Sequence, residues 1–231
     1  PSMGKTAFAN TLSLNMALSG YPAAISSLEM SRDQLSHRYL AQSGKIPVER
    51  FRSADMGDDD WSKLTSAAGR ISDVPLMISD QPAVTPSQVA RFARAAKQRY
   101  GLSALFVDYL QIMKPDKQEQ SRDREIASIS GALKQLAKEL SVPVVLLSQL
   151  NRKLEDRKDK TPNMGDLRDS GAVEQDADMI LFPWRPGVYD ENVMPSEAEI
   201  LVEKNRQGPT GRVPCVYLEE YTTFADRDFR S

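Results

Sequence analysis

The 231-residue sequence has few of the side chains that most often hold transition metals or supply a nucleophilic sulfur or a catalytic imidazole. It contains one cysteine, Cys215, and one histidine, His37. A single cysteine excludes an internal disulfide and a cysteine-based zinc site, and a single histidine argues against a histidine-dependent triad or metal centre. Because the lack of disulfides is typical of the cytoplasm, we expect the protein to reside there.

Long apolar runs and a strong charge of either sign are also missing. No run of about 18 apolar residues occurs, so the sequence predicts no transmembrane helix. The formal net charge is −2, whereas a monomer that coats DNA is usually basic. If nucleic acid is a ligand, its contacts must therefore be local or summed over several subunits. The 40% hydrophobic and 27% charged residues are ordinary for a soluble globular protein.

Strand-like apolar runs alternate with amphipathic helical segments, which predicts an α/β fold with a mostly parallel central sheet covered by flanking helices on both faces. The predicted strands are 23–27, 76–78, 104–108, 142–147, 179–182, 198–203 and 212–218. The predicted helices are 7–19, 31–43, 86–100 and 126–140. Residues 207–211 form the tip of a C-terminal β-hairpin, and the polar segments 114–124 and 151–162 are predicted loops. We predict one domain over residues 1–231.

The beginning of the sequence matches the second half of the phosphate-binding motif G-x-x-x-x-G-K-[ST], directly before a predicted helix. In this motif, backbone N–H groups surround the β-phosphate, the lysine reaches the β- and γ-oxygens, and the hydroxyl group holds Mg²⁺. We therefore predict binding of ATP and Mg²⁺ here. The predicted binding residues are Ser2, Met3, Gly4, Lys5, Thr6 and Ala7. The first glycine of the motif and the strand that should feed it are expected before Pro1.

Polar side chains follow three of the predicted strands. Asp108 ends an apolar run, and a carboxylate there can hold Mg²⁺ opposite Thr6. Taken alone, a capping or loop aspartate is an equally good interpretation, but the presence of the phosphate-binding motif at residues 4–6 favours the metal role. Glu29 can polarise a water for attack on the γ-phosphate, but an isolated glutamate before a helix is more often a solvated acid. Gln149 can sense the γ-phosphate, or it is a surface amide. The coincidence of the three at adjacent strand ends favours a shared site.

Two further segments carry cations or glycine near predicted turns. Lys204 and Arg206 precede the hairpin tip, where they can complete the ATP site of a neighbouring subunit as an arginine finger. Taken alone, they are more simply solvated charges of an edge strand. The loop 166–171 exposes backbone N–H groups that can grip a phosphate, and Arg168 can pair with another. From the residues alone, a capped helix entry is the favoured interpretation of that loop.

Together these motifs resemble the C-terminal ATPase domain of the DnaB-type replicative DNA helicases, a branch of the RecA-like motor family. The resemblance covers nearly the whole chain. The motifs that carry it are, in order, residues 1–6, 27–31, 107–111, 147–152, 166–178 and 204–211. The number and order of these motifs make a chance match very improbable.

The resemblance implies a RecA-like P-loop core that forms a homohexameric ring around single-stranded DNA and hydrolyses ATP between neighbouring subunits to unwind duplex DNA. It implies primase and a helicase loader as partners, and no membrane. It assigns water activation to Glu29, γ-phosphate sensing to Gln149, and the trans-acting finger to Lys204 and Arg206. It assigns DNA contacts to Arg168, Asp169 and Gly171. Asp169 stands where the family usually has glutamate.

Two alternatives stay open at this point. One is another RecA-like ATPase, such as a recombinase or a regulatory ATPase; residues 27–31 and 168–171 favour the helicase over it. The other is a non-hydrolysing docking module for primase or a helicase loader. Because the family's first glycine, first strand, N-terminal domain and linker helix are not in the sequence, we expect these 231 residues by themselves to bind ATP weakly and to close a ring poorly.

Overall fold

A computed structural model of the protein describes residues 3–227, without the side chains of 152–153 and 168–170. The described chain contains α-helices and β-strands in alternation, followed by a run of strands. The helices are α1 (Lys5–Leu18), α2 (Arg32–Gly44), α3 (Val48–Ser53), α4 (Asp58–Ile71), α5 (Pro86–Tyr100), α6 (Arg122–Leu140) and α7 (Gly171–Asp176). The strands are β1 (Ala23–Ser27), β2 (Leu76–Ser79), β3 (Ala104–Asp108), β4 (Val144–Leu146), β5 (Met179–Trp184), β6 (Glu197–Asn205), β7 (Gly211–Leu218) and β8 (Thr223–Asp226).

The first four strands form a parallel sheet in the order β2-β1-β3-β4. Alternate residues of β3 face opposite helical layers: Leu105 and Val107 pack with α5 and α6, and Ala104 and Phe106 pack with α1 and α2. Because both faces are covered, β3 is a continuous apolar run in the sequence. After β1 the chain forms β2 on one side of it and then β3 on the other side. This change of direction leaves a crevice at the carboxyl ends of β1 and β3.

The last four strands form an antiparallel sheet in the order β5-β6-β7-β8, and the predicted hairpin is its β6–β7 pair. Helix α1 lies between the two sheets. Its Ala7 and Phe8 join the apolar cluster of the antiparallel sheet, which includes Phe224. The Thr11 hydroxyl lies 3.0 Å from that of Thr223 and accepts a hydrogen bond from the Phe224 N–H at 3.2 Å. The antiparallel sheet is thereby fastened to the helix that begins at the predicted phosphate-binding loop.

Helix starts follow the local capping chemistry of the sequence. The Ser31 hydroxyl accepts from the Gln34 N–H, and the Gln34 side chain accepts from the Ser31 N–H at 3.0 Å, which completes the predicted capping box of α2. Pro86 occupies the first turn of α5, as predicted. None of the helices within residues 3–227 is both long and apolar enough to cross a membrane.

Several boundaries differ from the prediction. The predicted loop 114–124 is too long, because Ser121 caps α6 and the helix already begins at Arg122. The predicted loop 151–162 contains a turn of 3₁₀-helix, Arg152–Asp156. The predicted strand 142–147 is regular only over β4. Helices α3 and α4 and strand β8 were not predicted.

Candidate active site

Gly4 precedes α1 in the left-handed conformation, with φ of 83°. A Cβ atom at this position would lie 2.9 Å from Phe224 Cε2 on β8. Backbone conformation and space thus both require glycine here. The first intrahelical bond runs from the Phe8 N–H to the Gly4 carbonyl at 2.8 Å. The preceding N–H groups therefore point out of the helix end, the arrangement that binds anions at helix N-termini.

Replacing Gly4 with alanine is expected to lower the free energy of unfolding by about 2–3 kcal/mol, from the left-handed backbone together with the clash on Phe224. Gly101→Ala is the matched control, because Gly101 has a φ of 71° but nothing within 4 Å of an added Cβ. Its cost should be only the backbone term, about 1–2 kcal/mol. Denaturant unfolding of both variants measures the difference. Equal costs would contradict a close approach of Phe224.

Asp108, at the end of β3, joins Lys5 and Thr6 across the crevice. The Thr6 hydroxyl donates to Asp108 Oδ2 at 2.7 Å, and Lys5 Nζ lies 3.2 Å from Asp108 Oδ1. The ammonium group of Lys5 also lies 3.9 Å from the ring centroid of Tyr109. Asp108 is only 4% exposed, and the Lys5 ammonium is the contact that the described chain gives its Oδ1 atom. A buried carboxylate balanced by one cation is thus placed directly opposite the helix end.

The other members of the predicted phosphate-binding set have different surroundings. Met3 packs against the apolar cluster that contains Leu167 and Phe182. The Ala7 side chain is buried against the antiparallel sheet, so only its backbone is available to a ligand. Ser2 lies outside the described residues.

Glu29 is exposed in the turn after β1, whose shape is held by Ser27 and Met30. The Ser27 hydroxyl donates to the Met30 carbonyl at 2.8 Å. The Glu29 carboxylate makes no hydrogen bond or ion pair with another described residue. Burial raises the pKa of the Tyr109 hydroxyl, and the negative charges of Glu29 and Asp108 raise it further. Because Ser27 is paired with Asp108 and the Leu28 N–H donates to the Asp108 carbonyl at 2.7 Å, Glu29 lies at the same edge of the sheet as Asp108.

Arg38 on α2 is partly buried and was not among the residues predicted from the sequence. Burial lowers the pKa of its guanidinium and the charge of Arg52 lowers it further, while Tyr217, Asp108 and Glu29 act in the opposite direction. It makes no hydrogen bond or ion pair with another residue of the described chain. The sequence offers no signal for it, because Arg38 lies nine residues beyond Glu29 in an otherwise ordinary amphipathic helix.

Gln149 follows β4, and its backbone is held by the side chain of Gln111. The Gln149 N–H donates to Gln111 Oε1 at 3.1 Å, and Gln111 Nε2 donates to the Gln149 carbonyl at 3.2 Å. The Gln149 side chain itself is exposed. The structure thus places the three predicted polar residues along one edge of the sheet, after β1, β3 and β4, as the sequence reasoning expected.

Lys204 and Arg206 at the end of β6 contact the last turn of α7. Lys204 Nζ donates to the Glu174 carbonyl at 2.6 Å, and Arg206 Nη2 donates to the Gln175 carbonyl at 2.6 Å. Arg206 Nη1 also lies 3.1 Å from Asp178 Oδ1. Neither cation is therefore a freely solvated edge charge. Both bind carbonyl groups at the negative end of a helix.

The predicted DNA loop forms a 3₁₀ segment, Met164–Ser170, which leads directly into α7. Arg157 and Asn163 hold its start through Asp166: Arg157 Nη2 lies 3.1 Å and the Asn163 N–H 2.9 Å from Asp166 Oδ2. A Cβ on Gly171 would meet none of the described atoms within 4 Å, so the described part of the chain leaves this position open. The side chains of Arg168 and Asp169 lie outside the described part of the structure.

A parallel sheet flanked by helices, with a glycine-headed helix facing an aspartate at a strand end, defines an α/β protein of the RecA-like type. The chain belongs to the DnaB-like helicase C terminal domain family, whose profile matches residues 1–226. It is 40% identical over 233 aligned residues to the replicative DNA helicase DnaC of Bacillus subtilis strain 168, covering all of this chain and 51% of that protein. The chain thus spans about half the length of the curated relatives it matches.

Two solved structures superpose closely on the chain. One, described as an ATPase domain, has a TM-score of 0.95 and 37% identity, covering 99% of this chain and 82% of the other. The second is a DnaB-like replicative helicase described with its interactions with primase. It has the same TM-score and identity, covering 99% of this chain and 56% of the other. These likenesses confirm the predicted fold class.

Proposed function

We propose that the protein is the motor part of a replicative DNA helicase, which hydrolyses ATP and uses the free energy to move along single-stranded DNA and separate the duplex. The observation that carries the proposal is the convergence of Thr6 and Lys5 on Asp108, at 2.7 and 3.2 Å, beside the open N-terminus of α1. Family membership supports it. Because the chain spans about half the length of its relatives, the proposal concerns the whole natural protein.

ATP and Mg²⁺ fit the residues at this edge of the sheet. Thr6 Oγ1 and Asp108 Oδ2 are hard oxygen atoms 2.7 Å apart, close to the spacing of about 2.9 Å between neighbouring ligands of octahedral Mg²⁺. No group of three metal-binding acids, histidines or cysteines occurs among the described residues. That suits Mg²⁺, which commonly takes few protein ligands and completes its shell with phosphate and water. When bound, the ion neutralises charge that develops on the phosphate oxygens.

The remaining site residues have separate roles in the proposal. Lys5 is the counter-ion of Asp108 in the described structure. When nucleotide binds, Lys5 pairs with the β- and γ-phosphates, because these carry more negative charge than the Asp108 carboxylate. Glu29 orients and deprotonates the attacking water. Gln149 reads the presence of the γ-phosphate. Arg38, which makes no hydrogen bond or ion pair with another described residue, stabilises negative charge on the outgoing phosphate.

The ring and its DNA contacts complete the proposal. Lys204 and Arg206 act in the ATP site of a neighbouring subunit, and six subunits enclose the DNA strand. Arg168, Asp169 and Gly171 face that strand; the position that the described chain leaves open at Gly171 supports this placement. A chain with a net charge of −2 is a poor DNA ligand alone, but several weak phosphate contacts around a ring add up.

Primase, a helicase loader and the cytoplasm complete the proposed setting. The description of one structural relative with its interactions with primase supports primase as a partner. The loader is proposed from the family resemblance of the sequence motifs, and the cytoplasm from the single cysteine.

The test is ATP hydrolysis by the full-length natural protein, measured with and without single-stranded DNA. We expect DNA to stimulate turnover, and Glu29→Gln to lower the turnover number by about 10²–10⁴-fold. Glu49→Gln is the control, because it removes an equal charge from α3. Turnover that ignores DNA would point instead to a regulatory RecA-like ATPase. No turnover in the unchanged protein would point to a docking module.

A further inference from the structure

The side chain of Gln111 takes the place of a neighbouring strand for Gln149. Its Oε1 accepts from the Gln149 N–H at 3.1 Å, and its Nε2 donates to the Gln149 carbonyl at 3.2 Å. The same Nε2 donates to the Ser148 hydroxyl at 2.9 Å. One carboxamide therefore satisfies both backbone groups of a single residue, as a main-chain partner in a β-ladder does.

This substitution occurs where the regular sheet ends. The last registered pair of the β3–β4 ladder is Val107 with Leu146. Two more backbone bonds follow, from the Leu147 N–H to Val107 and from the Leu110 N–H to Leu147, each at 2.9 Å. The chain after β3 then turns into a short 3₁₀ segment, Leu110–Ile112. The carboxamide of Gln111 extends the pairing by one more residue, to Gln149.

The backbone of Gln111 is also fixed by hydrogen bonding, so its carboxamide has a defined position. Its backbone carbonyl accepts from Arg122 Nη2 at 2.7 Å, and Arg122 pairs with Glu125 on the first turn of α6 at 2.7 Å. The flanking Leu110 and Met113 side chains are fully buried. Because the turn is already fixed by these contacts, the two hydrogen bonds from Gln111 to the Gln149 backbone cost little additional conformational entropy.

We propose that Gln111 is a positioning residue for ATP hydrolysis, which acts by fixing Gln149 relative to Asp108. The inference rests on the proposed function, because it assumes that Gln149 reads the γ-phosphate. Asp108 and Gln111 lie three residues apart on one segment. Asp108, the proposed Mg²⁺ ligand, ends β3, whereas Gln149, the proposed phosphate sensor, follows β4. The segment from Asp108 to Gln111 therefore fixes the position of one relative to the other. A carboxamide presents an acceptor oxygen and a donor nitrogen side by side, as the N–H and carbonyl groups of Gln149 require.

The test compares variants of the full-length natural protein. Gln111→Leu removes both hydrogen-bonding functions, and Gln111→Glu keeps the size and the acceptor but loses the donor. Gln149→Ala and the double variant Gln111→Leu/Gln149→Ala complete a cycle. Gln98→Leu, at an exposed position on α5, controls for the chemical change. For each we would measure thermal unfolding, the Kd for a fluorescent ATP analogue, and the DNA-stimulated kcat.

We expect Gln111→Leu and Gln111→Glu to lower kcat by about 10- to 100-fold, the usual effect of removing a residue that orients a functional group. The Kd for nucleotide should stay within about twofold, since phosphate binding by Lys5 and Thr6 is untouched. In the Gln149→Ala background, adding Gln111→Leu should change kcat by less than about twofold, because the two act as a unit.

The outcomes separate this inference from the function on which it rests. A normal kcat in Gln149→Ala would overturn the sensing role, and the inference with it. A lowered kcat in Gln149→Ala together with a normal kcat in both Gln111 variants would overturn the inference alone. Losses of kcat that add up in the double variant would also overturn it. So would losses of nucleotide affinity and thermal stability in the Gln111 variants as large as the loss of kcat, because they indicate only general damage to the end of the strand.

Discussion

Asp108→Asn is expected to lower the rate of ATP hydrolysis by about 10³-fold, with the fold retained. Asparagine keeps the shape of the side chain and an acceptor for the Thr6 hydroxyl. It removes the negative charge that faces Lys5 and, in the proposed function, Mg²⁺. Steady-state turnover at saturating ATP and Mg²⁺ measures the loss, and thermal unfolding checks that the protein is intact.

The matched control is Asp80→Asn, which removes the same charge just after β2, a strand of the same sheet. Asp80 Oδ2 accepts from the Arg32 N–H at 2.9 Å and has no contact with Lys5 or Thr6 within residues 3–227. Arg32 Nη2 also lies 3.8 Å from Asp80 Oδ1. Since exposed ion pairs of this kind contribute little, kcat should stay within about twofold. Similar losses of turnover in the two variants would show that any negative charge at this edge of the sheet has the same effect. Asp108 would then have no special role in the proposed metal site.

Arg206→Ala is expected to lower ATP hydrolysis by about 10³-fold in the full-length protein, the lower end of the effect of an arginine finger. The sharper experiment mixes two inactive variants. Arg206→Ala subunits keep an intact site but lack the finger, and Asp108→Asn subunits keep the finger but lack the site. If Arg206 acts in a neighbouring subunit, mixed rings contain complete sites and turnover reappears.

A control for the hairpin itself is Arg212→Ala on β7. Arg212 is paired with Glu199 on β6 at 3.2 Å, so its removal alters the charge of the same hairpin without touching α7. Its turnover should be close to that of the unchanged protein. A mixture no more active than its two components would argue that Lys204 and Arg206 serve only to hold the last turn of α7.

The parallel sheet was predictable because its signals are local. The predicted bounds of β1 and β3 agree with the structure to the residue, since each strand is buried throughout, begins with apolar residues and ends in a polar one, Ser27 or Asp108. The capping box at Ser31 also acts within four residues. Once the strands are known to be parallel, their carboxyl ends must share an edge. The common position of Glu29, Asp108 and Gln149 then follows from topology alone.

What could not be predicted depends on contacts between distant segments. Strand β8 has four residues, and it is a strand because it pairs with β7 and packs on α1. Gln111 resembles any surface amide until the turn after β3 brings it to Gln149. Helices α3 and α4 lie between α2 and β2, where no element was predicted.

Helix α1 has apolar side chains on two sides: Leu14 packs toward the parallel sheet, and Ala7 and Phe8 pack toward the antiparallel one. If either sheet melted, this helix would present a bare apolar face to water, so opening one sheet also weakens the packing of the other. We therefore propose that the two sheets behave as one domain. In calorimetric terms, they share a single heat-absorption peak, and a substitution in β8 moves that peak as directly as one in β3.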